Sequence, residues 1–359
     1  MKKLYSFLAG IVAIILVLWG IATHLDSKIN SRDSQKLVIY NWGDYIDPEL
    51  LEQFTEATGI QVQYETFDSN EAMYTKIKQG GTNYDVAIPS EYTIHKMVQE
   101  NLLEKLDYSK IKGIEHIDPR FLHQSFDPDN TYSIPYFWGT LGIVYNKNVY
   151  PEGTISEWRD LWKEEFKDSI LFIDGAREMM GIALQSEGNS VNDTNEVDLN
   201  LAERKLELLH PNIKAINSDE KKMLMINNEA WVSVVFSGDA KSIMEENENM
   251  VYALPKEGTN LWFDNIVIPK TSKNEEAAYK FINFMLKPEN AAKNSEFIGY
   301  ATPNAKAKEM LSEETTSDEQ FYPDLESFGN RAEVYEDLDP KMIQFYNDLF
   351  LKFKINNRK

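Results

Sequence analysis

Short apolar runs alternate with helix-patterned segments from residue 37 onward, and this alternation restricts the chain more tightly than any other feature. Residues 37–41 (LVIYN) read as a buried strand. Asp47 then stands as an N-cap with Pro48 at the first helical position, and Leu50, Leu51 and Phe54 form an apolar face that ends at Gly59. Residues 60–66 alternate as a second strand, with Val62 and Tyr64 on one face and Gln61 and Gln63 on the other. Asn70 opens a further helix, residues 84–89 (YDVAIP) form a short buried strand, and Ser90-Glu91-Tyr92 lead into another helix. Strand and helix in strict alternation imply an α/β fold with a parallel sheet and right-handed crossovers. In such sheets ligands bind beyond the carboxyl ends of the strands. Trp42 to Asp44 and Ser90 to Tyr92 both stand at that edge.

The second half repeats the pattern less regularly. Residues 133–139 (SIPYFWG) carry the chain across to a second lobe. A strand is expected over 141–145, a helix over 155–166 with Trp158, Leu161 and Trp162 on its face, a strand over 170–173 and a helix over 177–185. A buried strand follows over 230–236, then a strand over 261–269 interrupted by a carboxylate, Asp264. The 275–286 helix packs on a sheet through Ala278, Phe281, Ile282 and Met285. Helices over 199–209 and 341–353 look structural. At 359 residues the chain has room for two domains and a large core.

Charge and composition narrow the partners. The formal net charge is −21, which disfavours nucleic acid, because binding it relies on Lys and Arg neutralising phosphates. A cationic ligand is electrostatically natural, although acidity by itself also keeps exported proteins soluble. With no cysteine, disulfides, thiolate metal sites and a lipid-modified cysteine are all excluded. The five histidines are scattered without ligand spacing, so no metal and no cofactor are expected.

Lys2 and Lys3 precede an uncharged run over 4–23, about the length that crosses a bilayer as a helix. Residues 1–25 are expected to form a membrane anchor with its N-terminus inside, and cleavage as a signal peptide near Ala22-Thr23-His24 is the alternative. Residues 26–35 read as a tether. Everything beyond would lie outside the cytoplasm, at the cell surface.

Enzymatic signatures are missing. Ser90 lies in PSEY and not in a nucleophile elbow, and neither a phosphate-binding loop nor a dinucleotide fingerprint occurs. Asp127-Pro128-Asp129-Asn130 lacks the glycine and closing glutamate of a calcium loop. What remains is a set of rings beside carboxylates at strand ends: Trp42 with Asp44, Tyr92 with Glu91, Asp174 with Glu178, Trp262 with Asp264, and Tyr300. Such groups suit an organic di- or polyamine. Removing an ammonium from water is costly unless it meets a counter-charge, and a carboxylate about 4 Å away supplies roughly 4 kcal/mol at an effective dielectric near 20. An aromatic face adds about 0.5 to 2 kcal/mol and covers the methylenes.

The runs YNWGDYI, YDVAIPSEY, YSIPYFWGTLGI, LWFDNIVIP and IGYATPN resemble the spermidine/putrescine-binding proteins, the substrate-binding components of polyamine ABC transporters. The resemblance runs from about residue 37 to 353. It implies a two-lobed, type II periplasmic-binding-protein fold with several inter-lobe crossovers, lobe 1 comprising 36–139 and 263–309 and lobe 2 comprising 140–262 and 310–359. It also implies that no reaction is catalysed, and that bound polyamine passes to ABC transporter permease subunits. The family's binding positions fall on Trp42, Ser90, Tyr92, Glu178, Trp262, Asp264 and Tyr300. Gly43 stands where a hydroxyl residue can occur, Phe236 where a tryptophan can, and Gly175 where an aspartate can, with Asp174 one residue earlier. The last polar contact would fall near Glu336. Another organic cation, an extracellular hydrolase substrate, or an adhesin or sensor role are the rival readings.

Overall fold

The computed structural model describes residues 36–217 and 220–356. Its strands are β1 (Lys36–Trp42), β2 (Gln61–Phe67), β3 (Val86–Ala87), β4 (Ser133–Asn146), β5 (Ile170–Ile173), β6 (Ile213–Asn217), β7 (Val232–Phe236), β8 (Met250–Ala253), β9 (Thr259–Val267) and β10 (Ala332–Val334). Short turns aside, the helices are α1 (Pro48–Thr58), α2 (Asn70–Gln79), α3 (Glu91–Gln99), α4 (Ala176–Gln185), α5 (Glu196–Glu207), α6 (Glu220–Ile226), α7 (Ser237–Glu246), α8 (Glu275–Met285), α9 (Pro288–Ile298) and α10 (Pro340–Asn356).

Hydrogen bonds link the strands in the order β2-β1-β3-β9-β4-β7-β5-β6, with β10 on β9 and β8 on β4. β1 pairs in parallel with both β2 and β3, as the strand–helix alternation requires. β4 is the joint. Its residues from Ser133 to Thr140 pair antiparallel with β9, and from Leu141 onward it pairs with β7 and β8 instead. The stretch over 133–139 and the strand expected over 141–145 are thus one continuous, fully buried strand.

Local sequence chemistry accounts for several boundaries. Asp47 caps α1 by accepting from the Glu49 N–H, Pro48 fills the first turn, and Gly59 at φ 72° closes it by donating to Thr55. Ser69 caps α2, so Asn70 is its first residue and its amide is released for another task. Two expectations fail. Residues 158–162 and 164–166 form separate 3₁₀ turns and not one helix, because Lys163 between them is extended and Asp160 folds back onto the Ser156 and Glu157 N–H groups. Asp264 does not interrupt β9, which runs unbroken and buried, since its carboxylate is satisfied by side chains from elsewhere.

Two hydrophobic cores flank the joint. The larger packs β1, β3, α1 and α8 through Leu37, Ile39, Phe54 and Phe281, and continues beneath one face of β4, β7 and β8 through Val144, Val235 and Tyr252. The other fills the opposite face with Ile143, Phe172, Met180 and Val234, and is closed by Tyr346, Leu349 and Phe353 of α10. No helix among the described residues is long and apolar enough to cross a membrane; the segment over 4–23 lies outside the described residues.

Candidate functional site

Asp264, midway along β9, is 5% exposed and carries a carboxylate between two hydroxyls. Ser90 donates from Oγ to Oδ1 at 2.6 Å, and Tyr45 donates from its phenol to Oδ2 at 2.5 Å. An isolated antiparallel bridge between Ser90 and Asp264 sets this approach, and the Asn265 N–H bonded to the Pro89 carbonyl holds it. Burial pushes the Asp264 pKa up to about 6, with the two hydroxyls pulling the other way. Asn70 completes the corner: its Nδ2 donates to Ser90 Oγ and to the Tyr92 hydroxyl, while its Oδ1 accepts from the Ser90 N–H.

Two further carboxyls lie close by. Glu91 is fully buried, accepts from the Phe263 N–H at Oε2, and has no partner at Oε1 among the described residues. Its pKa rises to about 8, through burial first and then the neighbouring charges of Asp264 and Glu178. Glu178 comes from the opposite side of the joint, in the first turn of α4 after β5. Burial raises its pKa too, Arg177 lowers it, Glu71 raises it further, and Lys221 lowers it least. Glu178 also acts electrostatically on Tyr92, Glu91 and Tyr335, so residues far apart in the chain share one electrostatic environment.

A chain of rings lines this corner. Phe236, at the carboxyl end of β7, meets Trp262 at 5.9 Å; Trp262 meets Tyr300 edge-on at 4.9 Å; Tyr300 meets Tyr45 at 5.5 Å. Glycines make room for them. A β-carbon on Gly139 would lie 2.5 Å from Trp262 Cζ2, and one on Gly238 would lie 2.2 Å from the Tyr300 ring. The Trp262 indole N–H is buried without a partner among the described residues, as is that of Trp42. Unsatisfied donors and acceptors of this kind beside a carboxylate leave polar capacity for a ligand.

The other expected residues are placed as follows. Trp42 ends β1, half-buried against Phe67 at 4.5 Å. Gly43 and Asp44 occupy an exposed turn, Asp44 at φ 47°. Asp174 is held in an ion pair with Lys354 at 2.7 Å. Glu336 is exposed, engaged through its backbone with Asn192 and Arg177. Sequence reasoning missed Tyr45, Asn70, Tyr335 and Lys221. Tyr45 lay in the YNWGDYI run itself, and a signal for it existed in the second phenol. The sequence marks Asn70 only as the opening of a helix. Tyr335 is 3% exposed, with a buried hydroxyl that has no hydrogen-bond partner among the described residues, directly before the expected Glu336.

A model of the bacterial extracellular solute-binding proteins matches residues 49–323. The chain belongs to that family. Among its relatives in this solute-binding family, the spermidine/putrescine-binding periplasmic protein of Escherichia coli K12 is 40% identical over 306 residues, covering 85% of this chain and 88% of the relative. The putrescine-binding periplasmic protein PotF of the same organism is 31% identical, covering 89% and 90%. The crystal structure of the spermidine/putrescine ABC transporter substrate-binding protein PotD of Streptococcus pneumoniae superposes with a TM-score of 0.83 at 62% identity, covering 90% of this chain and all of that one. The solute-binding protein described here therefore has the α/β periplasmic-binding-protein fold.

Proposed function

We propose that this protein is an extracytoplasmic polyamine receptor that delivers putrescine or spermidine to an ABC transporter permease and catalyses no reaction. The observation that carries the reading is the setting of Asp264: a carboxylate removed from water, placed by β9 at the joint, and walled by Trp262, Tyr300 and Tyr45. A buried anion without a cation is costly. An ammonium on the ligand supplies that cation, and the rings cover the methylenes between ammonium groups. Glu178, reaching in from the α4 side, is the second counter-charge. Ser90 and Tyr92 orient the polar end, supported by Asn70. The polyamine-binding proteins named above, similar along nearly the whole chain, support the same reading.

In this reading residues 36–139 and 263–309 make one lobe and 140–262 and 310–359 the other, with β4 and β9 as the strands between them, and the lobes close over ligand as a hinge. Residues 1–25 anchor the protein at the outer face of the membrane and residues 26–35 tether it there. The permease is the partner that receives the closed form.

The test is calorimetry with putrescine, cadaverine, spermidine and spermine, with amino acids and sugars as controls. Binding of one or more amines, with the controls silent, is expected. Binding of a control solute with no response to any amine would replace the reading with another member of the family's ligand range.

A further inference from the structure

Lys221 runs against the electrostatics of a cation site. It is the second residue of α6 and is 4% exposed, a burial that lysine rarely reaches. Its ammonium lies 5.9 Å from the centroid of the Phe236 ring, and that ring is itself 5.9 Å from Trp262. Its charge is also felt by the Glu178 carboxyl. Phe236 and Glu178 are the ring and the counter-charge that the α4 and β7 side contributes to the site. A resident ammonium therefore already stands by one ring, and acts on one carboxyl, that an incoming ammonium would use.

Positive charge on that side does not stop at Lys221. The Arg177 guanidinium packs 4.5 Å over the Tyr335 ring and also acts on Glu178. Arg177 is held by the Glu336 carbonyl and the Asn192 side chain, so it is tied into the scaffold. By contrast, the Asp264 corner has hydroxyl and amide neighbours and the Glu91 carboxyl, and no cation in contact among the described residues. The two ends of the site thus differ: Asp264 is held by hydroxyls, whereas at the Glu178 end Arg177 and Lys221 act on the carboxyl against the opposing charge of Glu71. Like charges in a region of low dielectric repel strongly, and each additional ammonium on a ligand meets that repulsion.

We propose that Lys221 is a specificity-determining residue: its ammonium occupies a cation position beside the Phe236 ring, on the Glu178 side of the site, and thereby favours diamines over triamines. The proposal rests on the polyamine reading of the site and deepens it by assigning the preferred ligand charge. Lys221 acts without chemistry of its own, by reducing the net negative charge available to the ligand's far end.

The experiment measures putrescine and spermidine affinities by calorimetry on the full-length protein and on Lys221→Gln, Lys221→Met and Lys221→Arg. Lys221→Met keeps the length of the buried stem, so a folded neutral variant is available if the glutamine variant fails to fold. The spermidine-to-putrescine affinity ratio is expected to rise at least fivefold in either neutral variant and to stay within twofold of the parent in Lys221→Arg. Added salt should shrink the difference. A ratio that moves less than twofold in a folded neutral variant, or equal loss of both amines, would mark Lys221 as packing alone and overturn the proposal. Failure of the parent protein to bind any amine is a different result, and it would overturn the polyamine reading itself.

Discussion

The Glu178 carboxylate lies directly over the backbone of Gly175: a β-carbon added at that glycine would stand 2.0 Å from Glu178 Oε2. Gly175 is extended, at φ −149°, so its conformation does not demand glycine; the space above it does. The obstructing atom is the tip of a flexible side chain and can move at little cost. Gly175→Ala should therefore leave thermal stability nearly unchanged while moving the carboxylate, and amine affinity is expected to fall about tenfold. Calorimetry beside a melting curve separates the two effects.

Asp264→Asn keeps the shape of the site and removes its buried charge. Spermidine and putrescine affinities are expected to drop tenfold or more, measured by calorimetry at pH 7.5. The same change should also flatten the acid limb of the pH profile. With its pKa near 6, Asp264 in the empty protein is partly protonated at pH 5.5, and a bound ammonium requires the ionised form. Affinity in the parent is thus expected to rise from pH 5 to about 7 and then level, and Asp264→Asn should lose most of that rise.

Glu91 allows a stability test whose sign is fixed by burial. Its folded-state pKa of about 8 lies above the ordinary carboxyl value near 4.3. Below about pH 4 the carboxyl is protonated in both states and imposes no penalty. As pH climbs from there toward 8, the unfolded chain ionises freely while the folded protein resists, so stability is lost across that window. Glu91→Gln can still accept the Phe263 N–H. In the ligand-free protein it is expected to raise the melting temperature at pH 8 and to change it little at pH 4, read by circular dichroism.

Gly139→Ala strikes a rigid contact. Its new methyl would meet both the Trp262 indole and Ser237 Oγ at 2.5 Å, in the buried joint where β4 passes β9. Overpacking of this kind costs about 1–3 kcal/mol. Denaturant unfolding should show that loss, and because Trp262 must tilt, amine affinity should fall with it.

The elements that could be read in advance were those whose cause is local. Asp47, Pro48 and Gly59 bound α1 through their own capping groups, and the alternating apolar runs foretold the parallel pairing of β1 with β2 and β3. The 3₁₀ turns over 158–166 were not legible, because Trp158, Leu161 and Trp162 have helical spacing and only the extended Lys163 breaks it. In the site, the aromatic and acidic residue types at strand ends were visible as a set. Which acid faces which ring was not. Asp44 and Asp174 carry the same chemistry as Asp264, yet one sits in an exposed turn and the other pairs with Lys354.

The amino-acid order alone determined the α/β alternation, the helix ends, the acidic character and the presence of rings beside carboxylates near strand ends, since each depends on residues a few positions apart. Only the tertiary structure decided that Tyr45 and Ser90 share the carboxylate of Asp264, 219 and 174 residues away, and that Lys221 stands beside Phe236. Those contacts follow from the order and register in which β3, β9, β4 and β7 pair across the joint. Which strands become neighbours across the joint depends on the packing of the whole core, which no short stretch of the chain specifies by itself.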